Sequence, residues 1–304
     1  MEGSTALTEF PDRLSPVFVR DLRQGLRANY FVWIFIVLQL LSLIATLVEL
    51  AVLQVIGSAA QGPFLSGFFT FILSVTFGFV LPTSLFGSLQ SELGQGRNIE
   101  LLLTSSLTRW QLVRGKLLVA CCLSGLLLGS LLPYFLIRYF LGSLELVPGL
   151  AIVAMILLIN ATMSAIVIGA SGYTNYVGRC IVILFLSAFP ISLLLNATST
   201  VLTGNATGWT SFLQISIALI AALLFIGFGL QLGRAKVRLF EKPIDPPSAA
   251  VIFVLAFFTP IMVGVATFYR SSTAALVILL CLLWLVFSID RGGSRKKRLK
   301  GLQP

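Results

Sequence analysis

Few residues of this chain can do chemistry, and their types and positions narrow the possibilities quickly. There is no histidine, and the four cysteines, Cys121, Cys122, Cys180 and Cys281, all fall in apolar stretches. A Cys/His zinc centre and a His-based catalytic triad are therefore excluded, and no metal-ligating set is expected. Vicinal Cys121 and Cys122 point to different faces of a helix and read as small core residues. The only Gly-Lys pair, Gly115-Lys116, is followed by Leu117 and lacks the glycine-rich loop that cradles phosphates, so standard ATP binding is not expected of this chain. Three ionisable residues stand at or beyond the ends of long apolar runs: Glu49, Arg138 and Glu145. Such charges either snorkel or form a structural ion pair, or else they serve an outer gate or contact a substrate.

The elements that must carry these residues are helices in lipid. Hydrophobic residues make up 57% of the chain and charged ones 11%. Mean hydropathy is +1.00, far above that of ordinary soluble domains. In a bilayer every backbone amide must be satisfied internally, and apolar runs of about 20 residues do this as helices. Eight runs fit, roughly Tyr30–Ala51, Gly67–Leu89, Leu117–Phe140, Val147–Ser171, Cys180–Leu202, Ser211–Gly233, Ala249–Tyr269 and Ala274–Ile289. They are too long and too unalternating for barrel strands. The fold expected is all-α, a polytopic single membrane domain over 1–304 with about eight spans and no soluble catalytic domain. Its first apolar run begins too late and runs too long for a cleavable signal peptide, so it should stay as the first span.

The charge distribution sets an orientation. With eight spans and a cytoplasmic amino terminus, every Lys and Arg except Arg138 and Arg270 falls on the cytoplasmic side, including the basic tail at 290–304 with its Arg295-Lys296-Lys297-Arg298 run. An odd number of spans would break that bias. Both termini are therefore expected in the cytoplasm, and the basic tail reads as a topology anchor touching anionic lipid rather than as a nucleic-acid site. Pro82, Pro133, Pro190 and Pro260 interrupt spans and are expected to kink them. Gly125/Gly129 and Gly229/Gly233 have the small-xxx-small spacing that lets helices approach closely, within the chain or between copies.

Two segments are amphipathic. Ser15-Pro16 is a helix start, and over 15–28 Phe18, Leu22 and Leu26 recur at helical spacing while Arg20, Arg23 and Arg27 line another side. The pattern predicts an interfacial helix with its apolar side in the acyl boundary and its arginines on lipid phosphates. The second segment, over 97–116, links the second and third apolar runs. Glu100, near a helix start, favours the helix dipole, and Leu101, Leu102, Leu103 and Leu107 follow. Arg109, Trp110, Leu112, Val113, Arg114 and Lys116 then lead into the third run. Such a helix carries more apolar surface than a connector needs, so it is expected to pack on a partner or on the membrane.

This stretch, ELLLTSSLTRWQLVRGK, resembles the cytoplasmic coupling segment of permease subunits in the type-2 branch of ATP-binding cassette transporters. The family pattern is a Glu with several Leu, a small residue, Ser/Thr-Pro-Leu-Ser/Thr, and an aliphatic pair before Gly-Lys. Glu100, Leu101, Leu102, Leu103, Thr104, Ser105, Leu107, Thr108, Leu112, Val113, Gly115 and Lys116 fit it. Ser106 stands where the family has proline, and Gly96 lies one residue further from Glu100 than in the usual Gly-Thr-Leu-Glu. The arginine-rich PVFVRDLRQGLR before the first span is similar too. The resemblance covers about 15–120, and the two spans at the carboxyl end exceed the six common in the family.

The resemblance implies an exporter permease in a bacterial inner membrane. Two copies, or this chain with a related permease, would pair around a translocation path and dock a cytoplasmic ATP-binding cassette ATPase, which would hold the ATP and magnesium. Glu100, Leu101, Leu103, Leu107, Arg109, Trp110, Arg114 and Lys116 would contact that ATPase. Catalysis is not expected in this chain. Two other readings stand beside it: a non-transporting anchor or assembly subunit that recruits a cytoplasmic partner, and a membrane-embedded enzyme, for which no paired carboxylates are visible in the spans.

Overall fold

The computed structural model describes residues 16–56, 63–89, 109–140, 146–173, 175–202 and 209–236, and, near the carboxyl end, 255, 257–261, 263, 273 and 275–284. The described residues are overwhelmingly helical and contain no strand. The elements are α1 (Pro16–Arg27), α2 (Asn29–Ile56), α3 (Pro63–Val75), α4 (Arg109–Ser130), α5 (Leu132–Phe140), α6 (Leu146–Ala170), α7 (Tyr176–Leu202) and α8 (Trp209–Lys236). A shorter apolar helix, α9, covers Ala275–Trp284. Five helices are long and apolar enough to cross a bilayer: α2, α4, α6, α7 and α8. At 1.5 Å per residue a helix of this length reaches past a hydrocarbon core of about 30 Å. The chain is an all-α integral membrane protein.

The sixth run, Ser211–Gly233, and the fifth, Cys180–Leu202, match α8 and α7 closely. The second is α3 with its continuation, a shorter apolar helix over Gly67–Thr83. Much of the seventh run and the basic tail at 290–304 lie outside the described residues.

The third run differs from expectation in two ways. Its helix does not begin at Leu117 but includes Arg109 onward, so Arg109, Trp110, Arg114 and Lys116 occupy turns of the spanning helix itself rather than a coupling helix separate from it. Nothing in that stretch stops a helix except Gly115, whose cost of about 1 kcal/mol is small beside the packing of its neighbours. Val113 is fully buried with Leu89, Ile168 and Leu230. The same run then breaks at Leu131, where Pro133 removes an amide and crowds the carbonyl of Gly129, giving the separate α5. Pro190, by contrast, is accommodated inside a continuous α7.

Pro82 acts differently again. Before it, α3 widens into a π-helical turn over Thr76–Val80, in which the Leu81 amide donates to the Thr76 carbonyl, and one α turn, Leu81–Thr83, follows. Proline cannot donate and presses on the carbonyl four residues back, and a wider turn relieves both problems. The turn is buried against α6, where a Cβ on Gly78 would lie 3.2 Å from Ile159 Cγ2.

The centre of the bundle is the crossing of α6 and α8. A Cβ on Gly169 would lie 2.4 Å from the Gly229 carbonyl oxygen, and one on Gly229 would lie 2.4 Å from the Ala165 carbonyl oxygen. Ala165/Gly169 on α6 thus interlock with Gly229/Gly233 on α8, small-xxx-small against small-xxx-small. Around this contact Ile166, Leu224, Phe225, Phe228 and Leu232 form the main apolar cluster with α7. Gly125 and Gly129 do not share this role: both face outward with nothing within 4 Å of an added Cβ.

Gly229→Ala should therefore lower the apparent melting temperature in mild detergent, with a loss of about 1–3 kcal/mol. Gly125→Ala should stay within about 0.5 kcal/mol of the parent. Equal tolerance at the two positions would contradict the crossing described here.

Candidate functional site

Polar and charged side chains collect at the two ends of the bundle. One end is built from α1, the starts of α2, α4 and α7, and the ends of α3, α6 and α8. Tyr30 donates to the Val80 carbonyl at 2.6 Å, and its hydroxyl lies 2.9 Å from Thr83 Oγ1. The Leu89 amide donates to Ser171 Oγ at 3.3 Å. Arg179, 5% exposed, donates through Nε to the Tyr173 carbonyl and through Nη1 to the Phe86 carbonyl at 3.4 Å. Its guanidinium also lies 5.6 Å from the centre of the Phe86 ring. Burial raises the hydroxyl pKa of Tyr173, at the loop between α6 and α7, above its ordinary value.

Trp110 is the aromatic platform of this end. The Arg114 guanidinium lies 4.1 Å from its ring centre and that of Arg234, on α8, 5.7 Å. Cation–π contacts at such distances hold the first turn of α4 to the last turns of α8. Lys116 is buried one turn further on. The acids among the described residues are Asp21 and Glu49, and Asp21 pairs with the exposed Arg20 at 2.9 Å. Among the described residues this end is therefore strongly cationic.

A helix does form over the expected stretch, as α1, with Arg23 and Arg27 exposed and Phe18 and Leu22 half-buried. It does more than lie beside the bundle, because Gly25 brings α1 onto α4, where a Cβ would lie 2.9 Å from Leu123 Cδ1. Glu100, Leu101, Leu103 and Leu107 lie outside the described residues, as does the side chain of Arg109. Of the eight residues expected in that segment, Trp110, Arg114 and Lys116 are described with their side chains, all in α4.

At the other end Glu49 and Arg138 meet. Glu49 is on the late part of α2 and Arg138 on the last turns of α5, 5% and 1% exposed. Arg138 Nε lies 2.8 Å from Glu49 Oε2, a close ion contact, while the aligned hydrogen bond runs from Nη2 to Oε1 at 3.3 Å. The guanidinium also sits 4.4 Å from the Phe69 ring centre, and Phe69 makes an edge-on contact with Phe135 at 5.4 Å. Snorkelling is excluded for these two residues, and the structural ion pair is what forms. Glu145 lies outside the described residues.

Sequence reasoning did not single out Arg179 as a fastening residue, the Gly169 contact or the π-helical turn. Pro82 signalled a distortion without saying which kind, and Arg179 looked like one more cytoplasmic cation. Among the described residues no group of three or more His, Cys, Asp or Glu could hold a metal ion. In comparison with known proteins, the chain matches no family model, no curated protein and no solved structure.

Removing one partner of a buried ion pair leaves an uncompensated charge, and Arg138→Leu or Glu49→Leu should each cost about 3–5 kcal/mol. The double replacement Glu49→Leu with Arg138→Leu should recover most of that loss. A melting series in detergent checks this, and strictly additive losses would show that the two charges do not act as a pair.

Proposed function

We propose that this chain is the membrane-spanning permease subunit of an ATP-driven exporter, with eight spans and both termini in the cytoplasm of a bacterial inner membrane. It couples to a separate cytoplasmic ATP-binding cassette ATPase, which holds ATP and magnesium. A second permease copy, or a related permease, completes the translocation path. The observation that carries the reading is the Glu100–Lys116 motif between two apolar runs.

Its mechanical setting supports the reading. The carboxyl half of that motif runs without a break into spanning helix α4. The first turns of α4 are braced by Trp110 against Arg234 of α8 and by Val113 against Ile168 of α6. A force applied to the motif by nucleotide-driven closure of the ATPase would therefore enter a rigid helix fastened to the α6–α8 centre. Such a ligand acts only through its differential affinity for the two states it joins. The cationic end fits the cytoplasmic leaflet by the positive-inside bias.

The test is affinity capture of the full chain from native membranes in mild detergent, with mass spectrometry of what remains bound. An ATP-binding cassette ATPase should be recovered, and it should be lost when 100–116 is scrambled. Glu100→Lys or Leu103→Lys should weaken that association on the order of tenfold or more while leaving the melting temperature unchanged. Capture without any nucleotide-binding protein would overturn the permease reading and favour an anchor or assembly subunit.

A further inference from the structure

Hydroxyls inside the bundle mostly satisfy themselves on their own helix. Thr46 donates to the Ser42 carbonyl, Thr76 to Ile72, Thr162 to Leu158 and Thr198 to Leu194, at 2.7–2.8 Å. Two neighbours on α6 do not follow this rule. Asn160, halfway along the helix, is 0% exposed, and neither its Oδ1 nor its Nδ2 has a protein partner. Ser164, one turn later and equally buried, has an unpartnered Oγ. In hydrocarbon-like surroundings a primary amide left in that condition is costly, and this one does not bond back to its own helix as the threonines do.

The side of α6 that carries them is set by its packed neighbours one turn away. Ile156 packs with Phe77 and Leu81 at the π-helical turn and with Leu127 and Leu128 of α4. Ile168 packs with Leu89 and Val113, and Ser171 accepts the Leu89 amide. Asn160 and Ser164 therefore lie on the stripe of α6 that faces the π-helical end of α3 and the middle of α4. Adjacent Ile159 touches Gly78 in the π-helical turn. Turns of this kind recur at functional positions in helices.

The chemistry of the amide selects its guest. A cation would satisfy Oδ1 and leave Nδ2 bare, an anion the reverse, and α6 carries no ionisable residue to balance either. A neutral group that both donates and accepts satisfies both atoms, and water is the smallest such molecule. We propose that Asn160 and Ser164 form an internal hydration site in the bundle, between α6, the π-helical turn of α3 and α4. If the permease reading holds, a polar permeant would exchange for this water, but the hydration itself does not depend on that reading.

The test uses the full chain in lipid nanodiscs without any ATPase, so it is separate from the capture experiment. Cys121, Cys122, Cys180 and Cys281 are replaced by Ala, and single cysteines are introduced as Asn160→Cys, Ser164→Cys and Ile166→Cys. Ile166 is equally buried but faces the dry α6–α8 contact. Because only a thiolate reacts, and water must reach a thiol to ionise it, modification by neutral 2-hydroxyethyl methanethiosulfonate reports hydration. Asn160→Cys and Ser164→Cys should react about tenfold or more faster than Ile166→Cys. Equal inertness at the three positions would overturn the proposal. Should the cysteine variants fail to fold, Asn160→Leu decides: a dry amide predicts a higher melting temperature on replacement, a hydrated one an unchanged or lower value.

Discussion

Hydrocarbon offers no hydrogen bond, and that single fact governs this molecule. Each backbone group must find its partner within its own helix, which is why long helices dominate and why the described interruptions inside apolar runs fall beside Pro82 and Pro133. Buried polar side chains face the same demand. The threonines meet it by bonding back, Arg179 by donating to two loop carbonyls, and Glu49 and Arg138 by meeting each other. Asn160 stands out because it alone among the described buried amides meets none of it within the protein.

Without a hydrophobic force between helices in lipid, close approach has to come from shape. The α6–α8 crossing supplies it, with carbonyl oxygens occupying the space where glycine lacks a Cβ. The other helices are arranged on this pair: α7 along its apolar flank, α3 and its π-helical turn on the next face of α6, and α4 across both. Peripheral fastenings then hold the ends. Gln39 on α2 donates to Ser130 Oγ at 2.6 Å, close to the break between α4 and α5, and the buried ion pair ties α2 to α5 beyond it. At the opposite end, Trp110 between two guanidiniums ties α4 to α8.

This arrangement gives the two ends different mechanical characters. The cationic end joins many elements through short polar contacts, so displacement of α4 there would be felt by α1, α6 and α8. Among the described residues the other end joins α2, α3 and α5 through the Glu49–Arg138 pair and its contact with Phe69. The bundle is thus most closely packed at its glycine crossing and fastened differently at its two ends.

By itself the sequence determined the solvent of this protein and the class of its fold. Long apolar runs admit only helices, the absence of histidine removes whole classes of chemistry, and the skew of Lys and Arg toward a few loops is a property of composition along the chain. Periodicity was also enough to find α1, because its arginines and its apolar residues separate on a wheel. The tertiary structure decided everything that depends on which faces meet. Gly229/Gly233 and Gly125/Gly129 carry the same pattern, yet among the described residues only the first pair finds a matching helix. Glu49 and Arg138 are 89 residues apart, and nothing local tells two such charges that they will neutralise each other. Arg109–Lys116 reads as part of a separate cytoplasmic helix because its charges interrupt the hydropathy, whereas in the fold it is continuous with the spanning helix α4, with Val113 and Trp110 packed toward α6 and α8. Local pattern fixes an element's type, since that is a matter of backbone and solvent; pairing is a matter of shape and charge between distant segments, and only the folded chain brings those together.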